Sequence, residues 1–452
     1  MKKKNIKFKY LLFSIIMLIF ILSILSSFNI FITIDKYSES MLPNIYIQDI
    51  YVGELTKEEA YQKIKSAFDD QTNNQKIVFK DNDKEFMLSY TSLNISYNIE
   101  RSISEAYSIG RNENIIKKYE LIKYPTYTNI PLEVTYDHSK VESFAEQVAK
   151  DVKISPVDAK IRREDGKFVI TEETIGQYID VSSLIKVIES NLLLNNPSMS
   201  IISLDIQEDP PNIKSSDLKR INTKISYFST RYNGNDYGRT KNIEIAANAI
   251  NGIVVFPGEE FSFNKIVGER TRSKGYMDAK VILNNKLIPG LAGGICQVST
   301  TLYSAILQCD IPSTEREHHT LPSTYVPMGF DATVTDNSID FKFKNTLKYP
   351  IYIQSYCEDN YLTVNIYSDL SISNVTHKLE SKVTKVVENS TKYINDPLLY
   401  SGVTEIEVPG TKGYHVDVYL ISYENGKQIS RKLLYKDFYE PVNRIIRVGK
   451  AK

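Results

Sequence analysis

The sequence predicts an α+β multidomain protein. Its parts are an N-terminal transmembrane helix, two tandem α+β repeats, a further α+β domain that carries the chemistry, and a small all-β C-terminal module. Three observations lead there. At 452 residues the chain is long enough for about two to four domains. An uncharged, mostly apolar run extends from Tyr10 to Ile34. Segments between about 45 and 210 match one another at an offset of 82 residues, and such repeats mark structural units.

The N-terminus sets the compartment. Lys2, Lys3, Lys4, Lys7 and Lys9 fill a short tail (1–9) ahead of the apolar run at 10–34. A spanning helix needs about 20 apolar residues, and flanking lysines stay on the cytoplasmic side. A cleaved signal peptide has a shorter apolar region of about 7–15 residues. The expectation is a single-pass anchor in the cytoplasmic membrane, with everything after about residue 36 outside the cell.

Composition narrows the classes of function. Lys plus Arg is 55 and Asp plus Glu is 55, so no basic excess points to nucleic acid and no acidic tail to disorder. Cysteine occurs three times, as Cys296, Cys309 and Cys357, an odd number for an exported chain. Disulfide-built secreted proteins carry more, so Cys309 and Cys357 read as core residues. Cys296, Cys309, His318 and His319 fit no usual zinc spacing, so no metal and no cofactor is expected. No heptad pattern reveals an oligomeric state.

The repeats occupy 40–125 and 126–212. Residues 86–93 align without a gap on 168–175, and the register continues through Asn98/Asp180 and Ile103/Ile185. Each copy reads as strands, an Asn or Asp cap and an amphipathic helix, with helical patterns upstream at Lys57–Phe68 and Lys140–Val152. Neither copy holds a Cys/His or clustered-carboxylate site. Pro210-Pro211 and the polar stretch to Lys219 read as a linker. From about 390 the chain alternates like strands, with Glu424-Asn425-Gly426-Lys427 as a hairpin turn.

The most informative stretch is Pro289-Gly-Leu-Ala-Gly-Gly-Ile-Cys-Gln-Val-Ser-Thr-Thr-Leu-Tyr303. It places Cys296 where a glycine-rich loop turns into a helix, with Val298, Leu302, Ala305 and Ile306 on the buried face. Glycines let backbone N–H groups approach a ligand, and a helix N-terminus favours a thiolate over a thiol. His319 follows 23 residues later as a proton partner, and Asp331 is placed to orient its ring. The N–H groups around Gly293 and Gly294 suit the oxyanion of a tetrahedral intermediate.

Family resemblances sharpen this reading. Gly-Lys-Phe-Val-Ile-Thr-Glu-Glu-Thr-Ile-Gly (166–176) resembles the peptidoglycan-binding modules that precede VanW domains in Gram-positive wall proteins. Block 220–370 resembles the VanW domain throughout. The matching segments include Pro257-Gly-Glu-Glu-Phe-Ser-Phe-Asn264, Gly268-Glu-Arg-Thr271, the glycine–cysteine run, His319-Thr-Leu-Pro322 and Tyr325-Val-Pro327. Asp331-Ala-Thr-Val334 and Asp340-Phe-Lys-Phe-Lys-Asn345 complete the match. Glu317 departs from it, since relatives often carry a further histidine there. The glycines at 402, 410, 413, 426 and 449 are spaced like the five-glycine β module of cell-surface proteins, placed at 385–452 with an accessory role.

The resemblance implies a peptidoglycan L,D-transpeptidase that forms 3-3 crosslinks through a cysteine acyl-enzyme. The alternatives are a non-enzymatic wall-binding or glycopeptide-response protein, and a cysteine endopeptidase or carboxypeptidase. Cys296, His319 and Asp331 are the expected catalytic residues, His319 over His318 because it aligns with the family's His-Ser/Thr step. Gly293, Gly294, Arg270, Arg316 and Tyr325 are expected to meet the substrate, the arginines through bidentate contacts to a stem carboxylate. The expected partners are peptidoglycan and the membrane, not nucleic acid.

Overall fold

A computed structural model describes residues 2–81, 84–193, 200–283, 286–336 and 338–451. The chain forms two compact units. One comprises Met1–Pro156 and Ile175–Pro210, the other Val157–Thr174 and Pro211–Lys452.

The first helix, Lys2–Asp35, contains an apolar stretch Ile6–Asp35 of mean hydropathy 2.7. Its 30 residues, at about 1.5 Å each, exceed the ~30 Å of a bilayer's hydrocarbon core. Length and composition suit a membrane anchor or a signal sequence.

The two repeats show the same order of elements. In the first copy, helix Lys57–Asn74 leads into the hairpin Lys76–Asp81/Lys84–Ser89, strand Ser96–Tyr97 and helix Ile99–Ser108. In the second, helix His138–Val152 leads into hairpin Lys160–Glu164/Lys167–Thr171, strand Gly176–Tyr178 and helix Val181–Leu193. Asn98 and Asp180 cap as expected, their side chains accepting from Arg101 N and, at 2.7 Å, from Ser183 N.

The copies are not self-contained, however. Strand Ser200–Ser203 of the second copy pairs in parallel with Lys76–Asp81 of the first. Phe79 and Leu88 share one core with Val141, Val148 and Ile188. The second hairpin belongs to the other unit, where Phe168 meets Tyr352 and Tyr367 edge-on at 5.2 and 5.1 Å. An isolated two-stranded hairpin buries too little to be stable alone, so each is covered by whatever follows it in the chain.

In the second unit an antiparallel sheet runs Thr223–Arg231, Tyr361–Ser368, Ile351–Glu358, Ile253–Val255. Helices Tyr237–Ile250 and Ile295–Leu307 pack on it around Ile243, Leu302, Tyr303 and Val364. Every residue of Ile295–Leu307 except Cys296 is buried. A smaller sheet, Glu260–Ser262, Lys342–Lys344 and Ser313–Glu315, brings Phe341 and Phe343 to the same core.

The C-terminal β region begins at Val375, ten residues ahead of 385, because Val375–Val387 pairs along its length with Gly413–Glu424. Lys427–Tyr439 completes that sheet. The turn expected at Asn425-Gly426 has φ of 52° and 78°, the two positive values of the hairpin turn that matches strand twist. A second sheet joins Thr391–Tyr400, Arg444–Ala451 and Thr404–Val408.

Candidate active site

The loop before Cys296 is shaped by its glycines. Gly294 has φ of 110°, and a Cβ on Gly293 would lie 2.7 Å from Lys280 O, a backbone atom held in a strand. No side chain caps the helix that follows. The N–H groups of Gly293, Gly294 and Cys296 bond no acceptor among the described residues. Partial positive charge at this end of the helix stabilises a thiolate.

The buried Ser and Thr residues of this helix act as rungs. Cys296 Sγ lies 3.4 Å from Val334 O, and Ser299 Oγ donates to Ala332 O at 2.7 Å. Ala332 N donates to Thr300 Oγ1 at 3.0 Å, and Ser304 Oγ to Phe330 O at 3.1 Å. Eight helical residues span about 12 Å and four extended ones about 13 Å, so the two rows stay in step. The run of hydroxyls thereby fixes the segment that carries Asp331.

The three sequence-selected residues meet there. Asp331 Oδ2 accepts from His319 N at 2.7 Å and lies 2.7 Å from His319 Nδ1. With Nδ1 engaged, Nε2 is the nitrogen left to hydrogen-bond Cys296. Burial pushes the Cys296 thiol up, but the His319 imidazole beside it, a backbone hydrogen bond with Val334 and the charge of Arg270 leave it lowered overall. Burial dominates at the other two thiols, only partly offset by hydrogen bonds with Ser226 and Tyr232, and pushes Cys309 up to about 12 and Cys357 up to about 11. Both are free.

Burial would lower the pKa of His319, yet its bonds to Asp331 and Cys296 raise it to about 9. Asp331 is also opposed by burial, and the His319 bond and charge hold it down at about 2. The sign follows for stability. The His319 contribution is complete below its ordinary 6.5 and lost as pH rises through about 9. That of Asp331 is complete above 3.8 and lost as pH falls through about 2.

These shifts predict the thiol's reactivity. In wild type, alkylation of Cys296 by iodoacetamide should rise with a midpoint below 9.0. In His319→Ala the midpoint should move to higher pH, because burial then loses the imidazole that most opposes it. Superimposable rate–pH profiles would remove the imidazole from the thiol's environment.

Cys296 and His319 line an open cavity of about 650 Å³, as do Gly293, Gly294, Arg270 and Tyr325. That is the size of a small-ligand or peptide pocket. Arg270 is buried and ion-paired with Asp336 at 2.8 Å, with a further bond to Asn264. Tyr325 has its phenol pushed up by burial and by the charge of Cys296.

Arg316 corrects the sequence expectation. It does not line the cavity. Its guanidinium pairs with Asp437 at 2.8 Å through both terminal nitrogens, and its Nε donates to Asp331 O at 2.8 Å. Arg231, Arg239 and Lys280 line the cavity instead, with no carboxylate partner among the described residues. None of the three stands in a motif that the sequence marks as chemical. Glu317 is exposed, and its carbonyl accepts from Thr333 N at 2.8 Å.

The C-terminal β region also reaches the site. Tyr439 OH donates to Asp331 Oδ1 at 2.6 Å, from the end of strand Lys427–Tyr439. A tyrosine at an inward strand position reads as core, and nothing in sequence joins it to a residue 108 positions earlier.

Comparisons with known proteins agree with this layout. Family models match as "VanW like protein" at 238–367, "Putative peptidoglycan binding domain" at 86–198 and "G5 domain" at 378–451. The chain is 32% identical over 261 residues to the uncharacterized protein YoaR of Bacillus subtilis (strain 168), covering 57% of this chain and 83% of that one. It is 26% identical over 188 residues to the Vancomycin B-type resistance protein VanW of Enterococcus faecalis (strain ATCC 700802 / V583), covering 40% and 66%. A solved IgA1 protease G5 domain matches 17% of the chain and 92% of its own length at 22% identity and a TM-score of 0.14.

Proposed function

Because the chain belongs to the VanW family of cell-wall-associated proteins, we propose that its VanW domain is a peptidoglycan L,D-transpeptidase working through a cysteine acyl-enzyme. The observation that carries this reading is the Cys296–His319–Asp331 chain opening on a cavity, with Cys296 the one thiol of three that its surroundings lower.

The Cys296 thiolate attacks the carbonyl of the L,D amide that precedes the terminal D-alanine of a tetrapeptide stem. A C–S bond forms, and the oxyanion rests on the free N–H groups at the start of the helix. Collapse breaks the C–N bond, and D-alanine departs with a proton from His319. The side-chain amine of a neighbouring stem's diaminopimelate then gives its proton to His319, attacks the thioester and expels the thiolate. The product is a 3-3 crosslink. Asp331 keeps the imidazole oriented throughout. Arg231, Arg239 and Lys280 give the cavity a positive field suited to stem carboxylates.

The peptidoglycan-binding and G5 domains support attachment to the wall. The apolar helix serves as a single-pass anchor with the N-terminus cytoplasmic and the bulk of the chain outside.

The test is the full chain in detergent micelles with disaccharide-tetrapeptide, read by mass spectrometry. The Cys296 peptide should gain the donor's mass less D-alanine, and crosslinked dimers should accumulate. Tripeptide without dimers would make the protein a carboxypeptidase, and shortening of supplied dimers an endopeptidase. No adduct and no product would leave wall binding alone.

A further inference from the structure

We propose that Tyr439, supplied by the C-terminal β module, is a positioning residue of the Cys296–His319–Asp331 site, so that the module and the thiol work as one apparatus. The proposal rests on the reading of that site given above.

The geometry is specific. The Tyr439 ring is fully buried beside Val326, Phe330, Val416 and Val418. Its hydroxyl sits between two partners, accepting from Gly329 N at 2.7 Å and donating to Asp331 Oδ1 at 2.6 Å. The carboxylate is thus held from both sides, Oδ2 by His319 and Oδ1 by Tyr439. The remaining charged neighbour, an Arg316 terminal nitrogen, stands at 3.5 Å.

A carboxylate's terminal torsion is broad and roughly two-fold, so with Oδ1 released the group can turn. His319 Nδ1 would then lose its fixed acceptor, and Nε2 its aim at the thiol. The segment before Asp331 is fitted to the module as well. A Cβ on Gly329 would lie 2.4 Å from Val418 Cγ2, and Arg316 donates to Gly329 O at 3.2 Å while gripping Asp437 of the same module. His318 lays its ring 4.9 Å from that of Tyr439.

A phenol that only filled the core would affect melting, whereas one that aims the carboxylate must also affect the thiol's titration. The full chain carrying Tyr439→Phe keeps the ring and loses the hydroxyl. Its Cys296 alkylation midpoint should move to higher pH, and crosslinking kcat should fall about 10- to 100-fold with KM little changed, the effect of losing one bond to a charged group. Lys436→Ala, exposed on the same strand, should match wild type in both readouts. Should the Phe variant melt too low to assay, Tyr439→Met keeps the apolar bulk and is expected to behave likewise.

An unchanged alkylation midpoint in Tyr439→Phe overturns the proposal, whatever the melting temperature. A wild-type thiol that already titrates like a buried, unassisted cysteine instead overturns the reading of the site on which the proposal rests.

Discussion

Replacing Cys296 with Ala should abolish the acyl adduct and lower crosslink formation by about 10⁴-fold or more, the scale seen when a covalent nucleophile is removed from an assembled triad. The fold should survive. Cys296 is the one residue of its helix that is not buried, and its sulfur touches only the His319 ring and, weakly, Val334 O at 3.4 Å, neither of which holds the core together. The rungs at Ser299, Thr300 and Ser304 still hold the segment that carries Asp331. Activity and stability therefore separate at this position. The check is the muropeptide assay run beside a thermal melt, and crosslinking at the wild-type rate in the Ala variant would end the acyl-enzyme account. Cys296→Ser offers a second comparison: it keeps the geometry but presents a hydroxyl that the imidazole ionises far less readily.

Replacing Arg316 with Ala should be the most damaging change to stability, because it strands charge rather than merely removing it. Both partners of the pair are buried, with side-chain exposures of 9% for Arg316 and 7% for Asp437. Breaking a buried pair from one side costs about 3–5 kcal/mol. For a unit of this size that is a fall of about 10 °C in the melting transition. Asp331 would also lose the Arg316 charge 3.5 Å away, so crosslinking should weaken even at temperatures where the variant is folded. The double variant Arg316→Met/Asp437→Leu leaves no unpaired charge on the module side and should melt above the single one. Equal melting of Arg316→Ala and wild type, followed by the loss of tyrosine near-ultraviolet dichroism, would show that the pair contributes nothing.

How much of this was readable in advance depended on how local each signal was. The turn-to-helix setting of Cys296 is written in consecutive residues, Gly293 to Tyr303, and His319 and Asp331 each stand in a short motif of their own. The caps at Asn98 and Asp180 are equally local, and both were legible. The rungs were half legible: Ser299, Thr300 and Ser304 interrupt an apolar helix, a pattern that signals buried bonds but does not name the acceptors at 330–334. Tyr439 was not legible, because its partner lies across a module boundary and alternation along a strand identifies only that it points inward. The same reason misplaced Arg316. A charge near the motif looked available to a ligand until Asp437, brought in by strand Lys427–Tyr439, occupied it. The displacement of each hairpin onto a later part of the chain was hidden for a related cause. An offset of 82 reports ancestry of sequence, whereas the cores follow proximity in space.

The placement of the hairpin Lys160–Glu164/Lys167–Thr171 has a practical corollary for anyone trimming the gene. Cutting at Pro210-Pro211 looks natural, yet a fragment that starts there lacks Ala159 and Phe168, which cover Leu218, Ile221, Tyr352 and Tyr367. Starting upstream to recover the hairpin drags in 175–210, which belongs to the other body. Inheritance should therefore favour passing the two on together, and excised halves should be sticky and short-lived in the test tube.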